Sequence, residues 1–155
     1  MRIYRLTKER FAPTAFAGIG AILNPGRWHR KGIPLVYASD QPASALLEVL
    51  VHTEAHQLLN DAYVIFEIDF DPDRHLSRLP MGKYPEGWRA RYWSEAAQAV
   101  GSTWAEQQIS VILEVRSAVV PHQRNYLVNP YHPRFSELII SKPEPFGIDP
   151  RLGDR

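Results

Sequence analysis

Apolar and polar residues alternate from Tyr63 to Phe70, with Val64, Phe66, Ile68 and Phe70 on one side and Ile65, Glu67 and Asp69 on the other. A period of two marks a strand with one buried face, and Asp71-Pro72-Asp73 ends it. A mostly apolar segment predicts a second strand over Ile109–Val115. Leu35, Val36 and Tyr37 favour extended backbone over Ile33–Ser39, where Pro34 marks an edge or the start of the strand. Arg2–Leu6 predicts a short edge strand. Further short extended pieces at Ala118–Val120, Tyr126–Val128 and Leu138–Ser141 are separated by Pro121, Pro130 and Pro133.

Ser39-Asp40-Gln41-Pro42 predicts a helix start, with a side-chain cap and a proline in the first turn. The helix is expected over Pro42–Gln57. Leu46, Leu47, Val49, Leu50 and Val51 surround most of its circumference, the mark of a central helix buried on more than one side. Ala45, Glu48 and His52 follow at spacings of three and four, which puts both ionisable groups on one face. Trp88–Gln108 predicts two helical pieces broken at Gly101, whereas Thr14–Asn24 has no clear period. Strands lying both before and after the helices predict an α+β fold: one compact domain over residues 1–155, with a mixed or antiparallel sheet and flanking helices. Gly18-Ile19-Gly20-Ala21 lacks the preceding strand and the third glycine of a dinucleotide fingerprint.

Composition narrows the chemistry. Eighteen basic residues against 17 acidic ones leave a net charge of +1, so no global field attracts nucleic acid and any anion site must be local. There is no cysteine, which excludes disulfides, thiolate metal sites and a cysteine nucleophile. The segment Met1–Leu6 lacks the apolar core of a signal peptide, and no window approaches the roughly 18 apolar residues of a membrane span. A cytoplasmic location without membrane attachment is the expectation.

The densest candidate chemistry lies in Gly26-Arg27-Trp28-His29-Arg30-Lys31-Gly32, the strand ending near Tyr37, and Ala45-Leu46-Leu47-Glu48-Val49-Leu50-Val51-His52. Together they combine cations, aromatics and one embedded carboxylate, a composition suited to an anionic aromatic substrate. Glu48, inside an aliphatic run, must reach a cleft or find a partner. Arg27 could pair with it as a structural tie or bind a phosphate with its fork. Tyr37 and Trp28 offer flat rings for a base or a nicotinamide; core packing suits Tyr37 equally well, and Trp28, placed between Arg27 and His29, less well. His52 could share a hydrogen bond or a substrate with Glu48. Glu48, His52 and His56 do not form a zincin motif, and no metal is expected. Ser117 lacks a nucleophile elbow but could donate to a polar ligand. Asn125 and Asn129 flank a short apolar strand, where turn chemistry is their default.

Gly-Arg-Trp, Leu-Val-Tyr-Ala-Ser, Ala-Leu-Leu-Glu-Val-Leu-Val-His, Gly101-Ser-Thr-Trp104, Ser-Ala-Val-Val-Pro and Asn-Tyr-Leu-Val-Asn-Pro-Tyr-His-Pro occur here in one order, with Asp149-Pro-Arg-Leu152 near the end. This ordered combination resembles the RES-domain toxins of bacterial toxin–antitoxin pairs over nearly the whole chain. The resemblance implies a fold related to ADP-ribosyltransferases. It also implies cleavage of NAD+ at the nicotinamide–ribose bond by hydrolysis or phosphorolysis, which depletes cellular NAD. The family's arginine, tyrosine, glutamate and serine fall on Arg27, Tyr37, Glu48 and Ser117. Trp28, His52 and Asn125 join Arg27, Tyr37 and Ser117 as candidate binding residues.

No cofactor is expected beyond NAD+ as substrate, with inorganic phosphate as a candidate co-substrate. The expected partner is a cognate antitoxin with an Xre-like helical domain, and a homodimer within the toxin–antitoxin complex is a candidate assembly. Two positions depart from the family pattern: His29 where asparagine is usual, and Arg116 where proline is usual. ADP-ribosylation of a protein is the alternative outcome of the same chemistry. From other classes, a ribonuclease toxin would use His52, His122 or His132, and a non-catalytic module would only bind a nucleotide.

Overall fold

The computed structural model describes residues 1–153, and for Ala55, His56 and Gly153 the backbone alone. The expectation for His56 therefore lies outside the described side chains, and the last two residues of the 1–155 span lie outside the description. The chain is α+β, as its pattern predicts. Its strands are β1 (Arg2–Lys8), β2 (Val36–Ser39), β3 (Tyr63–Asp69), β4 (Leu76–Arg78), β5 (Ile112–Arg116), β6 (Arg124–Val128), β7 (Ile139–Ile140) and β8 (Glu144–Phe146). They form a mixed sheet in the order β4-β5-β6-β2-β1-β3-β7, with β8 also on β3. Only β4 and β5 run parallel among these pairs. The helices are α1 (Ile19–Leu23), α2 (Pro42–Leu50), α3 (Ala55–Asn60), α4 (Pro72–His75) and α5 (Glu95–Glu106), joined by short 3₁₀ turns. No helix among the described residues is long and apolar enough to cross a membrane.

The alternation in β3 is realised, since Val64, Phe66, Ile68 and Phe70 are buried while Ile65, Glu67 and Asp69 are partly exposed. Ile3, Val36, Ala38, Ile68, Tyr126 and Val128 pack one core. A second, built on Leu6, Ala45, Leu50, Leu58 and Tyr63, seats α2. A third gathers Trp28, Leu35, Trp104, Val115 and Leu127 around α5.

Several boundaries differ from the expectation. The first strand is interior, with seven register pairs to β3 on one side and β2 on the other. Local sequence cannot reveal that, because an edge and an interior strand of this length share the same alternation. The strand expected from Ile33 begins at Val36, and Pro34 precedes it. At the start of α2, Gln41 makes no side-chain cap; the Asp40 carboxylate instead accepts from the Arg124 backbone N–H at 3.2 Å.

The expected helix to Gln57 stops at Leu50 and resumes as α3. Continuing straight would carry Leu58 about 12 Å along the axis from Leu50, away from the cluster in which both are buried. The turn between them brings Leu58 back. It also takes His52 off the helical face of Glu48.

Gly101 does not break its helix: α5 runs through it, capped by Ser94, whose Oγ accepts from Ala97 N–H at 3.2 Å. A side chain at position 101 would collide with the backbone carbonyl oxygen of Trp28. Glycine here allows close approach of a helix to a loop. Finally, Ala118–Val120 is a turn, not a strand.

Candidate active site

The site sits where the sheet parts. β1 and β2 share a single register pair, Tyr4 with Ser39, while β2 and β6 share four. Beyond Tyr4 the two strands diverge, leaving the Tyr37 carbonyl without a strand partner on that side. Arg5 Nη1 donates to it at 2.9 Å. The gap opens into a cavity of about 700 Å³ lined by Arg5, Arg27, Tyr37, Ser39, Glu48 and Asn125, with His52, Arg91 and Trp93 also on its walls. This lies within the size range of small-molecule sites. A second cavity, of about 570 Å³, lies at Met1, Arg74, His75 and Glu137. There Arg74 and His75 both pair with Glu137 at 2.9 Å, so its ionisable groups are engaged with one another.

At the centre is the half-buried carboxylate of Glu48 on α2. Its Oε1 accepts from Ser117 Oγ at 2.8 Å and from Asn125 Nδ2 at 2.6 Å. Ser117 Oγ in turn accepts from the backbone N–H groups of Val119 at 3.1 Å and Val120 at 2.9 Å. Those amides can only donate, so the hydroxyl proton points at Glu48 and the full capacity of Ser117 is used. The Asn125 amide is oriented the same way, because Ser39 Oγ donates to its Oδ1 at 3.0 Å.

Ser39, Ser117 and Asn125 are all buried. The register of β2 on β6 sets Ser39 opposite Asn125, and that of β5 sets Val115, two residues before Ser117, opposite Asn125 as well. Two buried polar groups, Ser117 and Asn125, thus hold one carboxylate oxygen in place, and Ser39 orients the second of them. The second, Oε2, has no hydrogen-bond partner among the described residues.

The predicted residues divide around this centre. Glu48, Ser117 and Asn125 meet directly. Arg27 reaches the cavity but not Glu48: Nη1 donates to the carbonyls of Trp88 at 2.6 Å and Ala90 at 2.9 Å, and among the described residues no ion pair joins Arg27 to Glu48. Burial lowers the Arg27 pKa, while the charge of Glu48 opposes the shift. Tyr37 lines the cavity, its phenol held inward; burial raises its pKa, so it is neutral.

Trp28, for which a ligand contact and core packing were both expected, is on the cavity wall beside Arg27. It is buried, packed edge-on to Tyr84 at 5.9 Å and tilted against Trp88 at 5.8 Å. A large ring between two aromatics secures the loop. His52 is an exposed residue at the rim, with no hydrogen bond to Glu48 among the described residues. Asn129 keeps to turn chemistry, accepting from Tyr131 N–H at 3.0 Å.

Arg5 escapes notice in the sequence. It is half-buried, its Nε is enclosed with no hydrogen-bond partner, and no ion pair with a carboxylate is found among the described residues. Desolvation pulls its pKa down to about 10, which still leaves it cationic at neutral pH. The signal was available: Ile3, Arg5 and Thr7 alternate along β1, which places a lone cation in register with the buried Ile3.

Both departures from the family pattern have structural work. His29 is buried; its Nε2 faces the Asn24 carbonyl at 3.0 Å and its Nδ1 faces Tyr37 Oη at 2.7 Å. A carbonyl cannot donate, so Nε2 carries the proton and Tyr37 donates to Nδ1. Burial lowers the His29 pKa. Arg116 donates its backbone N–H to Tyr84 Oη at 2.9 Å, a bond that proline cannot make.

The model of the RES domain family matches residues 2–149. The chain belongs to the RES domain family. This RES domain is 39% identical over 153 residues to a protein named Toxin Res from Photorhabdus laumondii, covering 98% of this chain and 97% of that one. It is 34% identical over 139 residues to a Prs ADP-ribosylating toxin from a Sphingobium species, covering 88% of this chain and 85% of that one. Its fold matches a chain in the crystal structure of the M. tuberculosis MbcT-MbcA toxin-antitoxin complex with a TM-score of 0.75 at 21% identity, over 99% of this chain and 86% of that chain.

Proposed function

We propose that this RES domain is the toxin of a toxin–antitoxin pair and that it cleaves NAD+ between nicotinamide and ribose. The observation that carries the reading is the held carboxylate of Glu48 in a cavity whose wall carries Arg5, Arg27 and Arg91, none of them paired with an acid among the described residues. The names of the relatives support the toxin role and the use of NAD+. The structural neighbour was solved in a toxin-antitoxin complex, which supports an antitoxin as partner.

In the proposed reaction the glycosidic electron pair leaves with nicotinamide, neutralising its ring, and positive charge develops on the ribose. A fixed anion already in place stabilises that charge without reorganising. Oε2 of Glu48 is the atom suited to it, since Oε1 is occupied by Ser117 and Asn125. Ser117 and Asn125 thus position Glu48, and Arg5 and Arg27 take the diphosphate. Attack by water at the ribose carbon, with loss of a proton, yields ADP-ribose; attack by inorganic phosphate yields a phosphorylated ADP-ribose. Tyr37 packs at the nicotinamide end.

The relative named as an ADP-ribosylating toxin favours a second outcome, in which a protein side chain attacks the same carbon. A ribonuclease reading has less support. His122 is exposed and absent from the lining of the cavity, and His132 Nε2 is engaged by the Gln108 carbonyl at 3.2 Å.

The test is incubation of purified protein with NAD+, with and without inorganic phosphate, and mass-spectrometric resolution of the products. Nicotinamide with ADP-ribose means hydrolysis; nicotinamide with phosphorylated ADP-ribose means phosphorolysis. Absence of nicotinamide under both conditions refutes both and leaves transfer to a protein acceptor, tested by adding cell extract and labelled NAD+.

A further inference from the structure

We propose that Trp93 and Arg91 form a subsite for the adenylate half of the dinucleotide, the adenine stacking on the indole and the adjoining phosphate meeting the guanidinium; this rests on the reading of NAD+ as substrate. Both residues line the same cavity as Glu48. Both also follow directly from the anchoring of Arg27, which grips the Ala90 carbonyl at 2.9 Å. That contact holds the backbone at the Ala90–Arg91 peptide against the Arg27 guanidinium, and Trp93 follows two positions further on. Arg91 thus adds a third arginine to the wall that carries Arg5 and Arg27, within the same cavity, for the phosphate nearest the adenosine.

Trp93 is 42% exposed although it lines a cavity. Its neighbours use their rings internally: Trp88 packs on Trp28, on Tyr84 at 4.8 Å and under Arg89 at 5.6 Å, and Tyr92 lies under Arg91 at 5.7 Å. Among the described residues no aromatic ring or cation packs over Trp93. Phe11, another exposed aromatic of the cavity wall, has Arg10 over its ring at 5.0 Å. The indole of Trp93 is therefore an exposed ring of the cavity wall with no ring or cation stacked on it among the described residues, and bases stack on such platforms whatever their identity. Arg91 lies over the Tyr92 ring but has no ion pair among the described residues, so no carboxylate competes with a phosphate for its charge.

The consequence is discrimination. A dinucleotide engages this subsite and a nicotinamide mononucleotide, which carries the same scissile bond, does not. Calorimetric titration with AMP is the direct test, on wild type, Trp93→Ala and Trp93→Phe. Trp93→Ala is expected to weaken AMP by about 5- to 150-fold, the span of one base stacked on an aromatic ring, with Trp93→Phe restoring most of it. Equal affinity in Trp93→Ala, or no AMP binding to wild type, overturns the proposal.

In kinetics, Trp93→Ala raises KM for NAD+ by the same factor and leaves kcat within about twofold, while both constants for nicotinamide mononucleotide stay unchanged. An equal loss on both substrates overturns it. A wild-type protein that binds AMP through Trp93 yet releases no nicotinamide supports the subsite and refutes the proposed chemistry instead.

Discussion

Replacing Glu48 with glutamine isolates charge from shape. The amide oxygen can still accept from Ser117 Oγ and Asn125 Nδ2, which now lie at 2.8 and 2.6 Å from Oε1, so the turn at Ser117 and the orientation of Asn125 persist. Each bond changes from a charged to a neutral acceptor, a loss of about 1 kcal/mol apiece and about 2 kcal/mol together. For a chain of this size that lowers Tm by roughly 4–8 °C.

The effect on the reaction is larger. A carboxylate about 4 Å from a full positive charge, at the effective dielectric of a protein cleft, contributes about 4 kcal/mol. Removing that charge raises the barrier by a similar amount and lowers kcat about 10³-fold. The assay is nicotinamide release by chromatography at saturating NAD+, alongside a thermal melt and a titration with ADP-ribose to show that the folded variant still binds. A folded Glu48→Gln variant that keeps kcat within about tenfold would refute the electrostatic role, because no lesser effect is consistent with an anion at that distance.

Arg5→Met trades an enclosed cation for an apolar chain of similar length. It is expected to raise Tm, since no carboxylate offsets the desolvation of Arg5 among the described residues, while raising KM for NAD+ about tenfold or more. A lower Tm with unchanged KM would make Arg5 purely structural. Gly101→Ala drives a methyl group into the Trp28 carbonyl and should cost roughly 1–3 kcal/mol in urea denaturation; an unchanged midpoint would mean the loop yields freely. His29→Asn tests a pH effect: burial holds the folded pKa of His29 below its ordinary value of 6.5, so its contribution is intact above that pH and is lost as pH falls through the lowered pKa. Wild type should lose stability more steeply than the variant below about pH 6.5, and parallel curves would show that His29 does not titrate between folded and unfolded states.

Most of the strands and the helix bearing Glu48 were legible because their signals are local. Alternation in Tyr63–Phe70, the apolar run before Ser117 and the proline at the start of α2 each act within a few residues. The ends of elements were less legible. Leu50 ends α2 because Leu58 must return to the same buried cluster, and α5 passes through Gly101 because a distant carbonyl packs there. Both reasons involve residues far apart in the chain. The same holds for the packing of Trp28, whose ring finds Tyr84 and Trp88 more than fifty residues later.

By itself, the sequence determined the chemistry on offer: a carboxylate embedded in an aliphatic helix, arginines and aromatics in one loop, a serine after a strand, and no thiol. It also carried the ordered motifs by which the family is known. Only the tertiary structure decided how those groups are used. The pairing of β2 with β6 sets Ser39 against Asn125, so that Asn125 joins Ser117 on one oxygen of Glu48, a residue of the cavity wall, and the other oxygen is left without a hydrogen-bond partner among the described residues. The parting of β1 from β2 opens that cavity and leaves Arg5 enclosed beside it. Register between distant strands is a property of the whole sheet, set by which faces must be buried together, and no window of neighbouring residues contains it.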